Sequence, residues 1–303
     1  MPRFTQNIQF IPCAKTQLCK TMRIPQLLIL GTLIFSGCNS KASKDENPFG
    51  LPPGYTVEDH SKISLPDALN EISGVSWSQD FIWAIDDEYG DLFKLSPKTG
   101  EISNRIKFGK NEDYEDLVIL GDTAWVLRSN GDLYRVTDFL ENEPKTEIFE
   151  FKLKGKKDFE TLIKKPGEEV LWIICKNCEQ DKKGEASVFQ FDIQVGAFQK
   201  NPIATLRFGD ILESSSGFPK EKPVLEPSAA AFHPVSGDLF ILSSAGKWLM
   251  VTSPTLEPKS VHSLDPSLFD QPEGLSFDTA GNLYISNEAK NQKPNLLIFP
   301  FST

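Results

Sequence analysis

The sequence predicts an all-β fold: a β-propeller of five blades, each of four antiparallel strands, with the ring closed by an N-terminal strand. A six-bladed ring is the alternative. Three observations lead there. A Glu opens a short apolar strand five times, at spacings of 44, 45, 66 and 47 residues. Each copy is followed by a second apolar strand led by an aromatic residue, and then by a third strand of period two. A repeat in the forties with several strands per unit is what stacked blades produce, since each blade is one small sheet packed on the next.

The first strands are Glu71–Trp77, Glu115–Leu120, Glu160–Lys164, Glu226–Phe232 and Glu273–Phe277. The second are Trp83–Asp86, Trp125–Arg128, Trp172–Cys175, Phe240–Ser243 and Tyr284–Asn287. The third are Leu92–Leu95, Leu133–Val136, Val188–Phe191, Trp248–Val251 and Leu296–Phe299, rich in the β-branched and aromatic residues that suit a half-buried pleated surface. Turn residues separate them at Thr99-Gly100, Asn130-Gly131-Asp132, Ser236-Gly237-Asp238 and Ala280-Gly281-Asn282. Outer strands are expected at Glu101–Phe108, Glu147–Phe151 and Pro258–His262. The interval of 66 is too short for two blades and reads as one blade with an insertion near residues 176 to 222. Nothing after Phe301 can supply the last outer strand, so Tyr55–Leu65 is expected to do so, hiding the edges of an open array.

Composition agrees. The 303 residues are 39% hydrophobic and 24% charged, with 22 Phe, which suffices for a large core and excludes a disordered or polytopic membrane chain. Lys and Arg number 32 against 42 Asp and Glu. Residues 1–38 hold Arg3, Lys15, Lys20 and Arg23 and no acid, so the remainder has 28 basic and 42 acidic residues, a charge of −14. Such a surface repels phosphate backbones, which excludes nucleic acid and leaves cations and basic ligands.

The acid-free start is an address. Residues 24–37 read IPQLLILGTLIFSG, an apolar run of 14 after Arg23, too short to span a bilayer but suited to a secretory signal. Ile34-Phe35-Ser36-Gly37-Cys38 resembles a bacterial lipobox, which makes Cys38 the lipidated residue. Phe35 stands where Leu is usual. Met22 precedes Arg23, so residues 1–21, with Cys13 and Cys19, read as an upstream extension. The division is therefore extension and signal peptide over 1–38, flexible tether over 39–54 and propeller over 55–303. Lipid chains in number hold a protein stably at a membrane, and Asn39 after the cysteine directs it to the outer membrane of the cell envelope. A monomer is expected.

In a propeller the innermost strand starts at one mouth of the channel and the second strand returns there. That face gathers Glu71, Glu115, Glu160, Glu226 and Glu273 with the second-strand ends Asp87, Glu88, Arg128, Lys176, Asn287 and Glu288. Carboxylates ringed round a narrow channel repel one another and call for a cation, protons or N–H donors. Calcium is the natural cation, as it accepts six to eight oxygen ligands in flexible geometry. The alternative is architectural: a Glu repeated in every blade accepts N–H bonds from its neighbour and locks blade to blade. Arg128 and Lys176 would then neutralise two carboxylates.

Cys175 and Cys178 form a C-x-x-C at a strand end and are expected as a disulfide in an oxidising compartment. Three histidines, His60, His233 and His262, accompany no G-x-S-x-G elbow, and no phosphate-cradling Gly-rich loop or cofactor fingerprint is found.

Two stretches, Glu226-Pro-Ser-Ala-Ala-Ala-Phe-His-Pro-Val-Ser-Gly-Asp-Leu-Phe-Ile-Leu-Ser243 and Pro272-Glu-Gly-Leu-Ser-Phe-Asp-Thr-Ala-Gly-Asn-Leu-Tyr-Ile-Ser-Asn-Glu288, resemble the SdiA-regulated family of bacterial propellers. The likeness runs from about Tyr55 to Phe299. It also touches the wider NHL-type and calcium-dependent lactonase or phosphotriesterase propellers. The family resemblance implies fold and membrane association. The wider one implies a channel Ca2+ held by Glu71, Glu273 and Asn287, with Glu115 or Asp87, acting as a Lewis acid on an ester or lactone. Arg128, Lys176 and Ser243 depart from the acidic and amide ligands of those hydrolases. Three functions follow in order: a lipid-anchored envelope module binding a small molecule or protein at its Glu-lined mouth, a calcium-dependent hydrolase, and a scaffold whose glutamates only lock blades.

Overall fold

Strand β1 (Ser61–Ser64) precedes a short 3-10 turn at Asp67–Leu69, and twenty further strands follow it into five antiparallel sheets. The computed structural model describes residues 49–140, 143–207, 209 and 224–303. Blade 1 is β2 (Ile72–Ser78), β3 (Phe81–Asp86), β4 (Asp91–Leu95) and β5 (Ile102–Lys107). Blade 2 is β6 (Tyr114–Leu120), β7 (Thr123–Arg128), β8 (Leu133–Thr137) and β9 (Lys145–Phe149).

Blade 3 carries the insertion. Its strands β10 (Phe159–Lys164), β11 (Val170–Cys175) and β12 (Glu185–Asp192) are followed by an outer edge in two pieces, β13 (Ala197–Phe198) and β14 (Ala204–Arg207). Both pair with the long β12, β13 at Phe191 and Asp192 and β14 along Glu185–Val188. Blade 4 is β15 (Ala229–Phe232), β16 (Leu239–Ser243), β17 (Trp248–Thr252) and β18 (Pro258–Ser263). Blade 5 is β19 (Pro272–Phe277), β20 (Leu283–Asn287) and β21 (Asn295–Phe299), completed by β1.

The innermost strands touch in a closed cycle, β2 to β6 to β10 to β15 to β19 and back to β2, so the ring has five blades and the six-bladed alternative falls away. Closure is made by β1, where Ile63 lies opposite Leu296 and the Leu65 N–H donates to the Pro294 carbonyl at 2.8 Å. Residues 49–54, read as the end of the tether, are fixed to blades 4 and 5: the Gly50 N–H donates to the Ser263 carbonyl and the Ser302 N–H to the Gly54 carbonyl. Cys38, the apolar run before it and the rest of the tether lie outside the described residues. Among the described residues no helix is long and apolar enough to cross a membrane.

One apolar seam fills each blade interface. Trp83 and Ile85 meet Tyr114 and Val126 between blades 1 and 2. Trp172 and Ile174 meet Ile241 and Trp248 between blades 3 and 4, and the last seam joins Phe93 and Ile72 to Tyr284 and Leu296 across the closure. Burying one such side chain stabilises by about 1.5–3 kcal/mol, so the ring is held mainly by these seams. The expected turns form, and Gly131 and Gly281 adopt φ of 89° and 91°, where a side chain would be strained.

Candidate functional site

In four of the five blades the innermost strand enters the channel mouth through a bulge. Tyr114 faces Arg128, Phe159 faces Cys175 and Pro272 faces Asn287, and in each blade the next residue is left unpaired before the ladder resumes. Those unpaired residues are Glu115, Glu160 and Glu273. A bulge aims its extra side chain away from the regular ladder, which suits a site.

In blade 1 the equivalent pair is Ile72 with Asp86, so the residue at the bulge is Ser73. In blade 4 Ala229 faces Leu242 and the Ser228 N–H donates to the Leu242 carbonyl, which puts Ser228 at that position. The expectation of five glutamates in register is therefore corrected to three glutamates and two serines. Glu71 and Glu226 stand two residues earlier, where the other blades have Asp113, Asp158 and Gln271. Alternate residues of a strand share a face, so Glu71 still reaches the mouth.

A cavity of about 240 Å³ lies there. Blade 1 contributes Glu71, Ser73 and Asp87, and blade 2 contributes Glu115. Glu160 and Lys176 come from blade 3 and Ser228 from blade 4. Gln271, Glu273 and Glu288 come from blade 5. A second cavity of about 320 Å³ shares Glu160, Lys176, Gln271 and Glu273 with the first and adds Glu226, Ser244, Lys247 and Lys290. An outer groove of about 630 Å³, between residues 148–153 and 196–200, is larger but lies at blade edges, whereas the buried titratable groups converge at the mouth.

Second-strand ends are offset by one residue. The last strand residue turns into the blade and the one after it faces the mouth, as Asp87, Lys176, Ser244 and Glu288 do. Asn287 is consequently buried, donating to Asn295 Oδ1 at 3.0 Å, and does not line the cavity, contrary to its expected place. Arg128 likewise is not at the mouth; it pairs with Glu112 at 2.9 Å. Glu88 is exposed outside the cavity, its N–H donating to Asp86 Oδ1 at 3.0 Å. Cys175 and Cys178 are joined in a disulfide whose loop holds Lys176.

Crowding and burial act together on the acids. Burial, with Glu160, Asp113 and Asp158 nearby, pushes the Glu115 carboxyl up to about 9. Glu160 is pushed up to about 8 by burial, against the pull of the Lys176 ammonium that donates to its Oε1. Glu288 is pushed up to about 8 by burial and by its hydrogen bond with Glu71, while Gln271 donates to its Oε2. Burial and the neighbouring Asp86 and Glu71 push Asp87 to about 7, and its Oδ1 is buried without a hydrogen-bond partner. Burial also raises Glu273, against a hydrogen bond from Ser244.

The blades are locked by other residues. Ser73 Oγ donates to the Tyr114 carbonyl at 2.9 Å, joining blades 1 and 2, and Ser228 Oγ donates to the Pro272 carbonyl at 3.2 Å, joining blades 4 and 5. Asp116 accepts the N–H groups of Leu117 and Leu162, both at 2.8 Å, across blades 2 and 3. Lower in the channel Ser76 accepts the Ile119 N–H and Ser276 the Trp77 N–H. The serines standing where Glu was expected are thus lock residues. Sequence reasoning missed them, along with Gln271 and Lys247.

Calcium bonds oxygen at about 2.3–2.6 Å, so oxygens sharing one ion lie within about 5 Å of one another. Among the described residues, the group of three or more Cys, His, Asp or Glu with donor atoms that close is Cys175, Cys178 and Asp181, and its cysteines are disulfide-bonded. Among the described residues no three mouth carboxylates have oxygens that close to one another.

No curated protein sequence matches the chain. Among solved structures it is similar to the glutaminyl cyclase of Myxococcus xanthus, with a TM-score of 0.55 and 12% identity over 80% of this chain and 96% of that one, which is a likeness of fold. A nidogen–laminin complex gives a TM-score of 0.46 and 12% identity over 71% and 72% of the two chains. The sequence model of the SdiA-regulated family matches residues 51–299, every blade and the closing strand, and the chain belongs to that family.

Proposed function

We propose that this protein is a binding module of the cell envelope, tethered to the outer membrane through lipid on Cys38, whose mouth takes a positively charged ligand. One observation carries the reading: Asp87, Glu115, Glu273 and Glu288 share a small cavity with a single lysine, Lys176, which is already bonded to Glu160. Crowded acids that serve no blade lock destabilise the ring unless something positive or a proton joins them. The carboxyls of Asp87, Glu115 and Glu288, pushed up to about 7, about 9 and about 8, still hold protons near neutrality, and burial raises Glu273 as well. An incoming cation displaces those protons and takes their place.

Binding of n-butylammonium at pH 8, read as a rise in melting temperature, tests this. Wild type should shift saturably, and the double variant Glu115→Gln/Glu288→Gln should not. No shift in wild type at tens of millimolar contradicts the reading.

A further inference from the structure

The mouth has two lobes, one predominantly acidic and one that adds two lysines. In the first, Asp87, Glu115 and Glu288 face the cavity, and Asp87 Oδ1 is buried with no hydrogen-bond partner. In the second stand Lys247 and Lys290, with Glu226 and Ser244. Lys247 Nζ donates only to the Asp270 carbonyl, at 2.8 Å, and among the described residues neither lysine makes an ion pair. Burial pulls Lys247 below its ordinary value, with Glu273 and Asp270 opposing and Lys290 assisting.

Between the lobes lies a waist. It is the set both cavities share, Glu160, Lys176, Gln271 and Glu273. Within it Lys176 bonds Glu160, and the Ser244 hydroxyl donates to Glu273, on which Lys176, Lys247 and Lys290 also act. Opposite charges in one cleft that pair with each other need no ligand. Here Asp87, Glu115 and Glu288 lie on one side of that set and Lys247 and Lys290 on the other, and among the described residues no ion pair joins the two groups.

Resting on the cation reading above, we propose that the ligand is a zwitterion with well-separated charges, a short peptide with free ends. Its ammonium sits among Asp87, Glu115 and Glu288, and its carboxylate meets Lys247 and Lys290. Gln271 and Ser244 at the waist offer hydrogen bonds to the amide groups between. An α-amino acid places its two charges on one carbon and cannot reach both lobes.

Calorimetric titration of the folded protein with triglycine, triglycinamide and N-acetyltriglycine tests it. Triglycine should bind at least tenfold more tightly than either blocked form, since one charge-assisted contact is worth about tenfold or more. In Lys247→Met and Lys290→Met that advantage over triglycinamide should vanish. Triglycine binding no tighter than triglycinamide, or an advantage that survives both lysine variants, overturns the proposal. If n-butylammonium binds in either case, the cation reading stands alone; if it does not bind, that reading fails too. Binding of 6-aminohexanoate as tight as triglycine overturns the peptide assignment.

Discussion

Lys176 donates its ammonium to Glu160 within blade 3, whereas Glu115, at the same bulge position one blade away, meets no cation of its own. The pair is half-buried, with side-chain exposures of 29% and 12%. Removing one partner of such a pair leaves the other uncompensated. Lys176→Met should cost about 1–3 kcal/mol at pH 8 by urea denaturation. The loss should shrink at pH 6, where Glu160 takes a proton instead.

The mouth also sets a pH dependence. Glu115 is pushed to about 9 and Glu160 and Glu288 to about 8, from an ordinary value of 4.5. Between those limits the folded chain binds more protons than the unfolded one, so unfolding free energy falls as pH rises. The stabilisation is fully present below pH 4.5 and is lost on passing pH 8 to 9. A melting temperature lower at pH 9 than at pH 6 is expected. Glu115→Gln should be more stable than wild type at pH 9 and nearly equal at pH 6.

Blade locking should respond to different residues. Asp116 is buried and accepts two N–H groups from two blades, so Asp116→Ala strands both donors and should cost about 2–5 kcal/mol. Gly74 faces it: a Cβ there would lie 2.7 Å from Asp116 Cα and Oδ1. Gly74→Ala should therefore cost about 1–3 kcal/mol through overpacking. Equal losses from Glu115→Gln at pH 6 would return the glutamates to an architectural role.

The proposed lipidation of Cys38 is testable by itself. Cys38→Ser should move the protein from the membrane pellet to the soluble fraction on cell lysis, and persistent pelleting at high salt would argue against lipidation.

Blade number, turns and closure were readable because period-two strands, Gly at left-handed turns and a forties repeat are all local or periodic signals. Insertion length misled nothing, since β12 is long enough to pair with both outer pieces. The site was readable only to within two residues. Glu71 and Glu226 resemble Glu115 by type and by strand face, and a two-residue slip preserves both. Spacing held the remedy: Ser228 lies 45 residues before Glu273, as Glu115 lies 45 before Glu160. Asn287 and Arg128 were misplaced because a sequence does not show which strand-end residue turns inward. Gln271 and Lys247 gave no repeated signal at all.

Proton release on cation binding is the most direct test of the mouth. Titrating n-butylammonium into the protein at pH 8 in two buffers of different ionisation enthalpy should give binding heats that differ in proportion to the protons released, and the difference should fall in Glu115→Gln/Glu288→Gln. Heats independent of buffer, or no binding in wild type, would show that these carboxyls do not receive a cation.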